Sequence, residues 1–166
     1  MKQYLVLLLP IVFMLQEMKA EENPKFYMAY KIECNSEIAL SAQDKMFMLE
    51  NAIGNKLVKT FPCINLKTQN SVQTRLDDLR KVCLLTDLPT EEIQKSISDI
   101  GSDVNCDYLV HLRMQVFTGN SAMVTCKVMN MKTAKTLANA MSTLSLASIS
   151  SSTGDEMAEK IIDDLK

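Results

Sequence analysis

Tryptophan is absent from this 166-residue chain, histidine occurs once, and glycine and proline occur four times each. One histidine leaves no set of imidazoles for a metal and little choice of general base. No phosphate-cradling G-x-x-x-x-G-K loop and no G-x-S-x-G nucleophile turn can be drawn from so few glycines. The five cysteines contain no C-x-x-C, so a zinc site would need mostly cysteine ligands at spacings unlike any zinc motif. Lysine and arginine are not clustered, which removes the means of neutralising phosphates and with it nucleic acid as an expected partner. The sequence therefore gives no expected catalytic, cofactor-binding or metal-binding residue.

What is present begins with a leader-like segment. Lys2 precedes an almost wholly apolar run from Tyr4 to Leu15, and Met18-Lys19-Ala20 ends on a small residue before Glu21-Glu22. That pattern reads as a signal peptide over residues 1–20. Met18 stands where a small residue is preferred, and an uncleaved anchor is the second reading. The apolar run is shorter than the roughly 20 residues that span a bilayer. No cysteine precedes Cys34, so no lipid anchor is expected at the signal end, and no later segment is apolar enough to cross a membrane.

Loss of residues 1–20 leaves 146 residues, enough for one domain with its own core, placed at 25–166. Lys2, Lys19 and Glu17 leave with the leader, so 18 basic and 20 acidic residues become 16 and 19, a net charge of −3.

Periodicity supplies the elements. Phe26, Met28, Tyr30 and Ile32 alternate with Lys25, Tyr27, Ala29 and Lys31, which predicts a strand over 25–34. Met46, Leu49, Ile53 and Leu57 recur at helical spacing from a start at Ser41 to about Thr60, with Ala42 and Phe61 extending the stripe. Gly54 inside that helix suggests a close contact. After Pro62, residues 63–68 read as a short strand. Ser71 opens a second helix with Val72, Leu76, Leu79 and Val82, and Thr90 caps a third with Ile93, Ile97 and Ile100. Gly101 is its expected left-handed end. Thr153 and Glu156 form a T-x-x-E capping box for a last helix carrying Met157, Ile161, Ile162 and Leu165.

Between the third and last helices lies a meander. Cys106, Tyr108, Val110, Leu112, Met114 and Val116 occupy one face of a strand, and Ala122, Val124, Cys126 and Val128 one face of the next. Both apolar sets are even-numbered. A two-residue turn at Gly119-Asn120 would oppose even to odd and expose one apolar face. A three-residue loop at Thr118-Gly119-Asn120, with Gly or Asn at positive φ, or a nearby bulge, is required instead. Cys126 then faces Leu112 or Met114, and Cys106 lies roughly 20 Å away at ~3.3 Å per residue, too far to bridge. With five cysteines at least one stays unpaired, and buried thiols are as good a reading as a bridge. Cys83 with Cys106 is the pairing least excluded. His111 falls on the polar face beside Arg113. A catalytic role would require Asp107 or Arg113 as its partner, and a polar group on a solvated or helix-covered strand face is the simpler reading. Residues 136–146 form the third strand of the meander, and their small side chains suggest close approach by a covering helix.

The order is β-α-β-α-α-β-β-β-α. With "IGSDVNCDYLVHLRM", "VMNMKTAKTLANAM" and the closing "GDEMAEKIIDDLK", the chain resembles the N-terminal domain of TolB and the curli secretion factor CsgG over residues 25–166. Members show a Gly-Ala-Asp-Tyr-like start to the third strand, where this chain has Asn105-Cys106-Asp107-Tyr108. They show a Thr-Gly turn before the last strand, where it has Thr133-Ala134. The resemblance implies an α/β (α+β) domain with helices on a mixed sheet of about five strands, periplasmic or associated with the outer membrane, acting through contacts with another cell-envelope protein and not as an enzyme. A small-molecule or lipid-binding module is the alternative, with a pocket between the sheet and its helices. The oligomeric state is not legible.

Overall fold

The computed structural model describes residues 24–62, 64–68 and 91–166. Strand β1 (Lys25–Glu33) leads through a 3-10 turn (Ser36–Ile38) into helix α1 (Ala39–Thr60), followed by the short strand β2 (Asn65–Thr68). Helix α2 (Glu91–Asp103) precedes β3 (Tyr108–Val116), β4 (Ser121–Asn130) and β5 (Thr136–Ser145). A second 3-10 turn (Leu146–Ser148) leads into α3 (Ser151–Leu165). The five strands form one sheet in the order β2-β1-β3-β4-β5. β1 runs parallel to both β2 and β3, and the meander β3-β4-β5 is antiparallel. The mixed five-stranded sheet with helices packed on it is the expected fold. The leader at 1–20, the helix expected from Ser71, and Cys63, Cys83 and Thr90 lie outside the described residues.

The loop after β3 satisfies the parity constraint. Val116 opposes Ala122, and the Phe117 N–H donates to the Ser121 carbonyl at 2.7 Å, leaving Thr118-Gly119-Asn120 as the loop. Gly119 and Asn120 both take positive φ, 83° and 62°. Leu112 therefore opposes Cys126 and Met114 opposes Val124, so even faces even. Val110, Leu112, Met114, Ala122, Val124, Cys126 and Val128 are all fully buried in one core with Met46, Leu49, Ile53 and Leu57 of α1 and Met157, Ala158 and Ile161 of α3. Phe26 and Tyr108 stack across the β1–β3 pair with ring centroids 4.8 Å apart.

Helices α1 and α3 cross closely because Gly154 has no side chain. A Cβ there would lie 2.6 Å from the Ala52 Cβ. The small residues of β5 serve the same approach, with Ala138 and Ala140 buried beneath α3. Gly54 has a comparable role. A Cβ at that position would meet Leu66 of β2 at 3.2 Å and Met28 at 3.7 Å. The Lys45 ammonium ties α1 to the chain before α3, donating to the carbonyls of Ile149 (2.8 Å) and Ala147 (3.3 Å).

The opposite face of the sheet carries a second, smaller core. Ile93, Ile97 and Ile100 of α2 pack on Ala29, Leu109, Met129 and Met131.

Several local expectations are corrected. α1 begins at Ala39, so Ser41 lies within its first turn. Gly101 does not end α2 in a left-handed conformation; the helix continues to Asp103, and Asn105 takes the positive φ of 53°. Gly101 is needed for proximity, since a Cβ would stand 2.7 Å from the Met131 Cβ. α3 begins before Thr153: Ser150 is the cap, and Thr153 is the third helical residue whose hydroxyl accepts from the Ser150 N–H at 3.3 Å. The capping box is therefore Ser150 with Thr153, not Thr153 with Glu156.

Candidate interaction site

His111 is the first residue to place, because it is the one imidazole. Of the two kinds of strand face expected for it, solvated or helix-covered, His111 lies on the covered one and is 2% exposed. β3 is an interior strand of a two-sided sheet, and its first odd positions, Leu109 and His111, are also buried, while Arg113 and Gln115 are half-buried. Neither proposed partner is arranged for catalysis. The Asp107 carboxylate accepts from the Lys25 backbone N–H at 2.9 Å, four residues back along the strand from His111 and so ~13 Å away. Arg113 donates to the Glu33 carboxylate at 2.7 Å, and Lys31 approaches the same group at 3.4 Å. The Arg113 guanidinium holds the Glu33 carboxyl below its ordinary pKa, against the opposing effect of burial. These side chains are about a third exposed, which places the pair among interactions worth at most ~1 kcal/mol.

Cys34, Cys106 and Cys126 are free thiols. Cys126 is fully enclosed, and burial pushes its thiol up to about 12. Burial does the same for Cys106, also to about 12, while its Sγ donates to the Tyr108 carbonyl at 3.1 Å. Thiols held protonated in this way are poor nucleophiles. Among the described residues no three of His, Cys, Asp and Glu converge as a metal site would require. No described helix is long and apolar enough to cross a membrane.

A polar cleft of about 790 Å³ opens at the start of β1 and β3, bordered by Lys25, Ser98, Asn105, Asp107, Asn130 and Lys132. Its groups largely serve one another. The Lys25 ammonium donates to the Asn105 side chain at 3.1 Å, and the Asn130 side chain accepts from the Thr133 N–H at 3.0 Å.

The feature missed by periodicity lies on the outside of α1. Leu40, Phe47 and Val58 are 80%, 63% and 43% exposed. Residues seven and eighteen apart on a helix of 3.6 residues per turn fall within ~20° of one meridian, so the three form a stripe ~27 Å long. Only the inward stripe at 46, 49, 53 and 57 stood out in the sequence, because the outward one is broken by Gly54 and Asn51. Beside it runs a groove of about 800 Å³ between α1 and β2, lined by Phe47, Val58, Met28 and Leu66 with Glu50, Asn55 and Lys59 around them. Glu50 has one carboxylate oxygen buried without a hydrogen bond. Burial raises its pKa.

No family model and no curated protein matches the chain. Solved structures do. The PelC dodecamer from Paraburkholderia phytofirmans is 11% identical with a TM-score of 0.44, over 87% of this chain and 88% of that one. The C-terminal domain of LpoB from Escherichia coli is 14% identical with a TM-score of 0.43, over 82% and 93%. TolB from Acinetobacter baumannii is 11% identical with a TM-score of 0.42, over 88% of this chain but 29% of its own length. Identities and TM-scores this low transfer no function. The likeness to CsgG rests on the sequence motifs alone.

Glu50 generates a pH prediction. A carboxyl whose pKa is raised in the folded state holds its proton more tightly there than in the unfolded chain. The cost of ionising it is absent at low pH and grows as pH rises through the folded-state pKa. Glu50→Gln should therefore raise Tm at pH 7.5, with the gain fading towards pH 4. Thermal unfolding of both proteins across that range checks it, and a gain independent of pH would refute the assignment.

Proposed function

We propose that this chain is an exported, non-catalytic protein-interaction domain of the cell envelope, docking another envelope protein on the outer face of α1. The observation that carries this reading is the exposed stripe Leu40-Phe47-Val58 beside the groove over Leu66 and Met28. An exposed aromatic flanked by an apolar trough and rimmed by Asp44, Asn51, Asn55 and Lys59 has the composition of an interface centre with a polar rim. The apolar run at Tyr4–Leu15 supports export through a cleaved leader, to the periplasm or the outer-membrane surface. The inert thiols and the engaged Asp107 and Arg113 favour a binding role over catalysis. Pairing of Cys106 with Cys83 would require the Cys106 thiol, which is free in this structure, to oxidise on export; peptide mapping of unreduced exported protein tests that pairing together with a mature N terminus at Glu21.

The alternative, a small-molecule or lipid-binding module, has the cleft beside Lys25 as its place. The hydrogen bonds its lining residues already make disfavour that reading. A ligand retained through native mass spectrometry would reverse the preference.

A photo-reactive residue at position 47, introduced in exporting cells, should crosslink to one dominant envelope protein. The same residue at position 160, exposed on α3, should not. Phe47→Asp should cut recovery of that protein at least ~10-fold, the scale of a hot-spot aromatic, with Tm essentially unchanged. Equal crosslinking at both positions contradicts the proposal.

A further inference from the structure

β5 is an edge strand of ten residues, and natural edges of that length are blunted by lysine, proline, bulges or covering elements. From Thr136 through Gly154 this chain has no charged residue and no proline, although 23% of its residues are charged. Among the described residues two blunting devices act on this edge, and both lie at the beginning of the strand. A register shift between Val128 and Met129 disrupts the β4–β5 ladder beside Leu137. The Asp164 carboxylate accepts from the Asn139 N–H at 3.2 Å, stopping that outward-facing donor.

Among the described residues nothing pairs with the rest of the edge. The Leu146 N–H donates inward to the Asn120 carbonyl at 2.7 Å, so even-numbered residues of β5 pair with β4. In an antiparallel ladder the alternate residues direct their N–H and C=O groups away, in agreement with the outward N–H of Asn139. Met141, Thr143 and Ser145 thus present donors and acceptors along the rim. All three side chains are also exposed, Met141 by 56%.

We infer that this segment pairs with the same segment of a second copy of the chain, antiparallel about a two-fold axis at Thr143. Met141 of one copy then opposes Ser145 of the other, Thr143 opposes its equivalent, and each opposed pair exchanges two hydrogen bonds. A strand that meets itself brings like next to like, and an uncharged strand does so without repulsion. The register is bounded on both sides. Asp164 closes the edge at Asn139, and the 3-10 turn from Leu146 ends the strand at the other limit. A window centred on Thr143 is what remains between them. A strand of a different protein would fit the hydrogen bonds equally, but the absence of any charge to select it favours the self-paired form. The inference stands apart from the α1 stripe, since it uses the far edge of the sheet.

Sedimentation velocity on the exported chain should show a monomer–dimer equilibrium, with Kd on the order of 10 µM as expected for a small interface. Thr143→Pro removes an outward N–H that the fold does not use, so the chain should stay folded while dimer Kd rises at least tenfold. Met141→Lys should act in the same direction. The register has its own test. Thr143→Cys places two thiols across the axis at a Cα separation of ~5.5 Å, within disulfide range. Met141→Cys leaves its two copies ~13 Å apart. Oxidation should give a covalent dimer with the first and not with the second. A monomer at every concentration up to several hundred micromolar overturns the inference, as does equal crosslinking by the two variants.

Discussion

Burial of β3 on both faces is the constraint from which the rest of the molecule follows. Its even residues, Val110, Leu112 and Met114, face α1 and α3, and its odd residues begin with Leu109 and His111, which are buried on the opposite side. A strand covered twice must lie inside the sheet, so β1 pairs on one side and β4 on the other. The odd-length loop at Thr118-Gly119-Asn120 keeps β4 in agreement with it. The small residues at Ala138 and Ala140, together with Gly154, let α3 close the large core. His111 is buried by this arrangement, and its burial needs no chemical role to explain it.

Much of this was legible from the chain. The parity of Leu112 and Cys126 required an odd-length loop or a bulge, because period-2 patterns admit no one-residue slip when one face is buried. The inward stripe of α1 was plain for the same kind of reason at period 3.6. What escaped was decided by tertiary proximity. Gly101 looks like a helix end, yet it is a glycine because Met131 lies against it. Thr153 looks like a cap, yet Ser150 begins the helix three residues earlier and Thr153 completes the box. For His111 the polar pattern of β3 left a solvated and a helix-covered face equally open, and only the second core on that side decides between them.

The candidate surfaces were the least legible. Phe47 and Val58 count as ordinary apolar residues in any window, and only their position on the outer meridian of α1 distinguishes them from Leu49 and Leu57. The edge of β5 was visible as a run without charge, but its outward donors emerge only once the pairing with β4 is known. The two surfaces lie on different parts of the molecule, one on the helix beside β2 and one at the opposite edge of the sheet.

Amide hydrogen exchange tests the central claim most directly. If two-sided burial of β3 organises the fold, the amides of Leu109 through Met114 exchange only through global unfolding and are the slowest in the domain. In dilute protein, the outward amides of Met141 and Thr143 then exchange orders of magnitude faster. Protection of β3 no greater than that of α1 or α3 would contradict the account.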